Sequence, residues 1–176
     1  EPWAIIQRRK SAETDFDRDW IDYEQGFGDL NANLFLGLDK IHALTQSRPH
    51  ELWIHLENFK NETGYAIYDS FAIGNANEKY PLNKLGKYNG TAGDSLKYHL
   101  GQKFTTRDND NDNYSLNCAK KILGGWWYNE CGWSNLNGQN LRQPIWKVLS
   151  HGIVWRTWHD FRYPIKHVHM AIRPLT

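Results

Sequence analysis

The strongest constraint on the fold comes from residues 105–138, which read TTRDNDNDNYSLNCAKKILGGWWYNECGWSNLNG. This stretch holds the only two cysteines of the chain, a run of alternating Asp and Asn, and a Gly-Gly-Trp-Trp-Tyr segment. It contains few apolar runs with the period of a helix or a strand. Its order must therefore come from its cysteines, its aromatic rings or a bound ion, and long loops of this kind are usually functional.

The alternating acidic run suggests metal binding. Asp108, Asp110 and Asp112 are spaced so that an extended or looping backbone can turn several oxygen side chains toward one point. Calcium accepts about six to eight oxygen ligands in irregular loops. An EF-hand does not fit, because its sharp-turn glycine would fall on Asn113 and its closing glutamate on Ala119. A solvated turn rich in Asp and Asn is the alternative to a calcium loop.

Composition limits the classes of function. The 176 residues suit one domain, and a net charge of +1 with interspersed acidic and basic residues argues against nucleic acid as a partner. No apolar run reaches the length of a membrane span. No nucleophile elbow, phosphate-binding loop or zinc-protease motif is present, so we expect no enzyme activity. No signal peptide is visible, and the abrupt start on strand-like sequence suggests a processed fragment.

Alternating apolar residues predict strands in the first half of the chain. Residues 3–9 are expected to form a core strand, and residues 51–58 a half-buried one. Residues 64–73 and 80–85 are expected to follow as antiparallel neighbours in a meander. His55 falls within the alternating pattern, which favours an exposed strand residue over a ligand.

Helical spacing predicts two short helices that bury one face each. The first is expected to begin at an Asp15 cap and to end at the glycines near residue 27, and the second covers residues 38–45. The expected apolar stripes are Phe16, Trp20, Tyr23 and Phe27 in the first helix, and Leu38, Ile41 and, as a further candidate, Leu44 in the second.

Regular structure is expected again over residues 152–173. Val168, Met170 and Ile172 alternate with His167 and His169, which places the two histidines on the opposite strand face. A His-x-His pair can bind zinc, but the sequence offers no clear third ligand.

Taken in order, the motifs along the whole chain resemble those of fibrinogen-like domains. The resemblance implies an α+β fold with a mainly antiparallel central sheet, short helices and a loop-rich calcium-binding subdomain. It assigns residues 1–85 and 152–176 to the sheet subdomain and residues 86–151 to the loop-rich one. It also implies an N-terminal subdomain with its own disulfide, which would lie upstream of Glu1. The matching motifs are IQRR at 6–9, DFDRDW at 15–20, YEQGFGDL at 23–30, GLDKIH at 37–42, GTAGDSL at 90–96, NCA at 117–119, GGWWY at 124–128 and SNLNG at 134–138.

The resemblance also implies a specific calcium loop and a disulfide. The calcium ligands would be the carboxylates of Asp110 and Asp112 and main-chain carbonyls of Tyr114 and Leu116, although Leu116 stands where relatives often have glycine. With two carboxylates, the dissociation constant should lie near about 10⁻⁴–10⁻³ M, as in extracellular modules. The disulfide would join Cys118 to Cys131.

The family's recognition pocket is altered in this chain. Its usual histidine after the second cysteine is replaced by Gly132, and Lys120 and Lys121 stand where fibrinogen has polar and acidic residues. Ser150 matches the position of an aspartate in that pocket. These changes reverse the charge that recognises a cationic knob in fibrin assembly.

We therefore expect an extracellular, calcium-stabilised recognition domain for a protein receptor or ligand in cell-cell signalling. The cysteine-glycine pair also resembles the angiopoietin-like branch, and secreted regulators of the scabrous type in the Notch pathway share the domain. The alternative is lectin-like recognition of acetylated glycans in innate immunity, with Trp127, Tyr128 and Trp133 as pocket walls, although Trp126 and Trp127 also suit a core. The full-length protein is expected to be oligomeric through its N-terminal region. The expected contact residues are Lys120, Lys121, Gly132, Trp133, Leu149, Ser150 and His151.

Three acceptor triplets for N-glycosylation support a secreted, extracellular setting. They begin at Asn61, Asn89 and Asn113. A glycan on Asn113 would lie inside the expected calcium loop.

Overall fold

The computed structural model describes residues 1–141, 151–159 and 165–176. Three α-helices are present in these ranges: α1 (Trp20–Gln25), α2 (Leu38–Ser47) and α3 (Cys118–Ile122). Short 3-10 turns form at Ala76–Glu78 and Lys97–His99. The strands are β1 (Ala4–Arg9), β2 (Phe27–Gly28), β3 (Leu34–Phe35), β4 (His50–Glu57), β5 (Thr63–Tyr68), β6 (Phe71–Ile73), β7 (Leu82–Leu85), β8 (Tyr88–Gly90), β9 (Ser134–Asn135), β10 (Val154–Trp155) and β11 (His167–Pro174).

The centre of the fold is a seven-stranded sheet in the order β2-β3-β1-β11-β4-β5-β8. Every pair in it is antiparallel. The last strand, β11, lies between β1 and β4, so both ends of the chain meet in the middle of the sheet. This confirms the predicted α+β fold with a mainly antiparallel sheet.

Alternation decides which sheet face is buried. In β4, Leu52, Ile54 and Leu56 are fully buried, and the residues between them are half-buried. In β11, Val168 and Met170 lie on the same buried face as predicted. The opposite face carries the histidines.

The first helix is shorter than predicted. It begins at Trp20, because the Asp15 carboxylate accepts the N–H of Asp17 and the Asp15 carbonyl accepts Arg18 Nε–H, which holds this segment in a turn. Phe16 is nevertheless buried, with the guanidinium of Arg9 at 3.9 Å from its ring centre. The aromatic spacing thus predicted burial correctly and the start of the helix wrongly.

The predicted meander also needs correction. After β5 the chain turns at Asp69 and Ser70, whose main-chain groups bond to Lys87 and Gly86. Strands β6 and β7 therefore form a separate two-stranded sheet, and β8 takes the place beside β5.

One residue of the second helix is also placed differently. Leu44 is 38% exposed, and Thr45 is buried in its place with its hydroxyl donating to the Ile41 carbonyl at 2.9 Å. A polar side chain can be buried at little cost in free energy when it forms a hydrogen bond.

Residues 91–141, here called the loop-rich region, pack against the end of β1. The side-chain amide of Gln7 donates to the carbonyl of Leu136 at 2.8 Å, and Arg9 Nη1 donates to the carbonyls of Leu136 and Gly138. Both β1 side chains are buried. Across the described ranges, no helix combines the length and apolarity needed to span a bilayer.

Candidate recognition surface and calcium loop

A disulfide anchors the exposed helix α3. Cys118 and Cys131 are bonded, with Cα atoms 5.6 Å apart, which confirms the expected pairing. Asn117 caps the helix, since its side-chain oxygen accepts the N–H groups of Ala119 at 2.8 Å and of Lys120 at 3.3 Å. Lys120 and Lys121 are therefore held on the surface beside the disulfide.

The Trp-Trp-Tyr segment is core and not a pocket wall. Trp126, Trp127 and Tyr128 are all fully buried. Trp127 Nε1 donates to the Tyr80 carbonyl at 2.9 Å, and the Tyr128 hydroxyl donates to the Gly124 carbonyl at 2.7 Å. Of the three expected walls for an acetyl group, only Trp133 reaches the surface.

A buried histidine, His99, which the sequence analysis did not identify, forms hydrogen bonds with the backbone behind Trp133. His99 Nδ1 lies 2.8 Å from the Trp127 carbonyl oxygen and must donate to it. Nε2 is then the acceptor for the backbone N–H groups of Trp133 at 3.1 Å and Ser134 at 3.2 Å. Burial lowers the pKa of His99 to about 4, so the ring is neutral at physiological pH.

His99 also explains the glycine after the second cysteine. A Cβ at Gly132 would lie 2.5 Å from His99 Cε1 and 3.0 Å from the Ser134 carbonyl oxygen. With this backbone, no side chain fits there. The N–H groups of Trp133 and Ser134 are engaged internally, so they are not free to donate to the carbonyl of an acetylated sugar.

The outer surface here is aromatic and cationic. The rings of Trp133 and Tyr98 stack with centres 6.0 Å apart and an angle of 28° between planes. The guanidinium of Arg156 lies 4.5 Å from the centre of the Trp133 ring. The sequence analysis identified Trp133 but not Tyr98 and Arg156. Tyr98 precedes Trp133 by 35 positions and Arg156 follows it by 23, so no local pattern connects them.

On the other side of the disulfide, α3 adds further positive charge. The ammonium of Lys121 lies 4.7 Å from the Tyr114 ring centre and 3.2 Å from its hydroxyl. His151 is half-buried, and its carbonyl accepts the Gln139 N–H at 2.7 Å. The expected contacts Leu149 and Ser150 lie outside the described residues.

The acidic run divides into a structural and a candidate ligand part. Asp108 accepts the backbone N–H of Trp20 at 2.8 Å and the Thr106 hydroxyl at 2.7 Å, so it ties the loop to the start of α1. Asp112 accepts the N–H groups of Tyr114 and Cys118. Asp110 accepts the Asp112 N–H at 3.2 Å.

The arrangement around Asp112 suits a hard cation. Burial and the adjacent Asp110 carboxyl raise the pKa of Asp112 to about 6, because two neighbouring carboxylates repel each other without a cation or proton between them. No hydrogen bond among the described residues ends on the carbonyl oxygens of Tyr114 or Leu116. Neither oxygen is therefore engaged within the described residues, as the main-chain ligand role implied by the resemblance would require.

Side chains alone do not make a complete metal site here. In residues 1–141, 151–159 and 165–176, no three His, Cys, Asp or Glu side chains are grouped to hold a metal ion. An ion in the acidic loop would depend on main-chain oxygens and water as well as on Asp110 and Asp112.

The three acceptor asparagines are all exposed but differ in their side-chain hydrogen bonds. Asn61 and Asn89 are exposed, and Asn61 sits in a tight turn with φ of 63°. The side-chain nitrogen of Asn113 instead donates to Gln102 and Asn129, at 2.8 Å in each case.

Comparison with known proteins identifies relatives along the whole chain. The family model of the fibrinogen beta and gamma chains, C-terminal globular domain, matches residues 1–175. Fibrinogen-like protein 1 of Bos taurus is 42% identical over 98% of this chain, which spans 59% of that protein. Fibrinogen C domain-containing protein 1 of Homo sapiens is 43% identical over 98% of this chain, which spans 38% of it.

Solved structures show the same fold. The fibrinogen-like globe domain of human ANGPTL2 superposes with a TM-score of 0.94 at 40% identity, covering 98% of this chain and 80% of that one. The corresponding domain of human ANGPTL6 gives 0.95 at 38% identity, covering 99% and 78%. Lamprey fibrin D-dimer, complexed with the peptide Gly-His-Arg-Pro-amide, gives 0.89 at 34% identity, covering 98% and 61%.

Proposed function

Because the chain belongs to the family of fibrinogen C-terminal globular domains, we propose that it is an extracellular recognition domain for an acidic surface of a protein partner. The observation that carries this proposal is the surface at the Cys118–Cys131 disulfide. Trp133, which stacks with Tyr98 and Arg156, follows one cysteine by two positions, and Lys120 and Lys121 follow the other by two and three. The partner would be an extracellular receptor or ligand in cell-cell signalling, as expected for a domain of the angiopoietin-like branch or for a secreted regulator of the Notch pathway.

The residue types of this surface favour a protein partner. Tyr, Trp and Arg dominate the energetically important positions of protein interfaces. Trp133 and Tyr98 brace each other by stacking, so little side-chain freedom is lost when a partner covers them. The exposed lysines of α3 would pair with carboxylates of the partner and speed the encounter.

The same charges argue against fibrin-type recognition by this chain. The peptide in the lamprey fibrin structure contains an arginine. A cationic peptide would be repelled by Lys120 and Lys121, and we expect no binding of Gly-His-Arg-Pro-amide.

Calcium would serve this function as a structural ion. Asp110 and Asp112, with the carbonyls of Tyr114 and Leu116, would hold it, and the ion would neutralise the carboxylate pair. The N–H of Cys118 donates to Asp112 at 2.9 Å, so an ordered acidic loop also fixes the start of α3. The lysines on that helix would then be presented in one orientation.

The proposal is tested by screening the purified domain against an array of receptor and ligand ectodomains in calcium-containing buffer. The variant Lys120→Glu/Lys121→Glu/Trp133→Ala should lose at least about 90% of the binding to its hits. The matched control Lys84→Glu/Lys87→Glu, which reverses two exposed lysines near β7 and β8, should keep it. Unchanged binding by the triple variant would contradict the proposal.

A parallel arm tests the lectin alternative with immobilised N-acetylglucosamine. We expect no capture, because Trp127 and Tyr128 are buried and the backbone N–H groups of Trp133 and Ser134 are already bonded to His99. Capture that free N-acetylglucosamine competes away would instead make acetylated glycans the better answer.

A further inference from the structure

The outer face of the central sheet carries a cluster of histidines. In the register, His169 of β11 lies opposite His55 of β4 on one side and Arg8 of β1 on the other. The rings of His55 and His169 stack with centres 5.0 Å apart and only 12° between their planes. Trp53 packs its ring edge-on against His169 at 4.9 Å. The ring pair is thus held in place by the strand register and by Trp53.

This cluster forms the floor of an open groove. Its volume is about 440 Å³, within the range of about 300–1,000 Å³ that is usual for small-molecule pockets. Arg8 at the end of β1 and Lys10 just after it form one wall, and Leu30 and Asn31 form another. Four separate parts of the chain, including β4 and β11 in the floor, therefore converge on one concave surface.

The groove carries an excess of positive charge. Arg8 Nη1 donates to the Leu30 carbonyl at 2.7 Å, and this partner carries no charge that could neutralise the guanidinium. Lys10 is exposed. Within the described ranges, no ion pair involves either residue. Glu57, the acid that lines the groove, is already bonded to His167 at 2.6 Å. Unpaired cations on a concave surface favour an anionic ligand.

The surroundings of His169 disfavour its charged form. Burial, with the neighbouring His55 and Arg8, lowers the pKa of His169 to about 4. The other charged groups on this face are Lys10, which directly follows β1, and the paired His167 and Glu57. A bound anion would offset the repulsion and raise the pKa of His169, so binding should take up protons.

A metal ion fits this groove less well than an anion. Although His55 supplies the third imidazole that the His-x-His motif lacked, the described residues hold no group of three donors placed for a metal. His167 is turned to Glu57, and Arg8 and Lys10 would repel a divalent cation.

We propose that this groove is a second binding site, for a sulfate or phosphate ester group on a saccharide-sized ligand. Arg8 and Lys10 supply the charge, and His55 and His169 supply ring N–H donors from the floor. Donors converging from several strands suit a tetrahedral oxyanion, which has acceptors in several directions. The site shares no residue with the surface around Trp133, so the two proposals can fail independently.

The test uses isothermal titration calorimetry with three probes on the whole chain: a heparin-derived tetrasaccharide, inositol hexakisphosphate and Zn²⁺. We expect at least one of the two anionic probes to bind, and their relative affinity identifies the source of the oxyanion. The variant Arg8→Gln/Lys10→Gln should weaken binding at least about tenfold. Lys84→Gln/Lys87→Gln, which removes the same charge elsewhere, should change it less than about twofold.

The histidines provide a readout that general charge attraction would not give. Binding should tighten as the pH falls from about 7 to 5, and His55→Gln/His169→Gln should lose most of this dependence. NMR should show the ring signals of both histidines shifting with the anionic probe. The proposal would be overturned if Arg8→Gln/Lys10→Gln and Lys84→Gln/Lys87→Gln weakened binding equally. Absence of shifts in the histidine ring signals, or binding of Zn²⁺ alone among the three probes, would also overturn it.

Discussion

The central sheet and the loop-rich region are ordered by different forces. The sheet buries alternate apolar residues such as Leu52 and Ile54 against one face. The loop-rich region instead buries polar side chains that form hydrogen bonds with the main chain, among them His99 and Asn137. It also contains the disulfide and the buried rings of Trp126, Trp127 and Tyr128. A region built on such bonds can hold irregular backbone in a fixed shape, which leaves its outer side chains free for recognition.

The largest expected effects compare one truncation in each region. Ile54→Ala should lower the free energy of unfolding by about 2–5 kcal/mol through lost apolar burial. Asn137→Ala should cost about 2–6 kcal/mol, because it removes partners of the Gln7 amide and of the Gly125 carbonyl, at about 1–3 kcal/mol for each. Urea unfolding measures both.

The control for this comparison is Gln139→Ala at the exposed end of the same segment. It should change the free energy of unfolding by less than about 0.5 kcal/mol. A cost below about 1 kcal/mol for Asn137→Ala would show that its hydrogen bonds do not order the loop-rich region.

Acid should destabilise the protein through His99. Its folded pKa of about 4 lies below the ordinary value of 6.5, so between these pH values the unfolded chain binds a proton that the folded one does not. Stability is therefore lost as the pH falls from about 6.5 to 4, by about 3 kcal/mol for this buried residue. Unfolding experiments across this range, with an NMR titration of the His99 ring, check the prediction. A His99 ring that protonates above pH 6 in the folded protein would contradict it.

Calcium should stabilise the protein by a smaller amount. At about 10 mM calcium, a dissociation constant of about 10⁻⁴–10⁻³ M predicts a gain of about 1–3 kcal/mol. Asp112→Asn should abolish the gain, because it removes one of the two carboxylates. Thermal unfolding with and without a chelator measures the effect, and magnesium at the same concentration is the control. An equal gain in the Asp112→Asn variant would exclude this loop as the site.

Glycosylation should have the smallest effect on stability. All three asparagines are exposed, but in a secreted preparation we expect glycans on Asn61 and Asn89 and none on Asn113, whose side-chain nitrogen makes two hydrogen bonds. Glycopeptide mass spectrometry tests the occupancy. Asn61→Gln and Asn89→Gln should each change stability by less than about 0.5 kcal/mol. A fully occupied Asn113 would show that this part of the loop is arranged differently.

The sequence predicted the sheet better than the loop-rich region because the two leave different signals. Burial in β4 and β11 follows a period of two, which can be counted along the chain. His99 bonds to Trp127, Trp133 and Ser134, and no local pattern indicates such distant partners. The resemblance nevertheless supplied the disulfide, because the cysteines lie within a recognisable motif.

The errors in the sequence predictions share a cause. Asp15 was expected to cap a helix but forms a turn with Asp17 and Arg18, since short polar side chains serve both roles equally well. In the lectin alternative, Trp127 and Tyr128 were candidate pocket walls, and Trp127 was also a core candidate; both are buried, since aromatic residues suit a core as well as a surface. In each case the local pattern was ambiguous and tertiary contacts decided the outcome.

Hydrogen exchange with and without calcium tests the contrast between the two regions most directly. We predict that calcium slows exchange at the backbone amides of Tyr114 and Cys118 and through α3, while the amides of β4 and β11 keep their slow rates. That result would show that an ion and local hydrogen bonds order the acidic run and α3. It would also show that the central sheet is ordered without the ion. Uniform slowing across both regions, or no change in the acidic loop, would contradict the account.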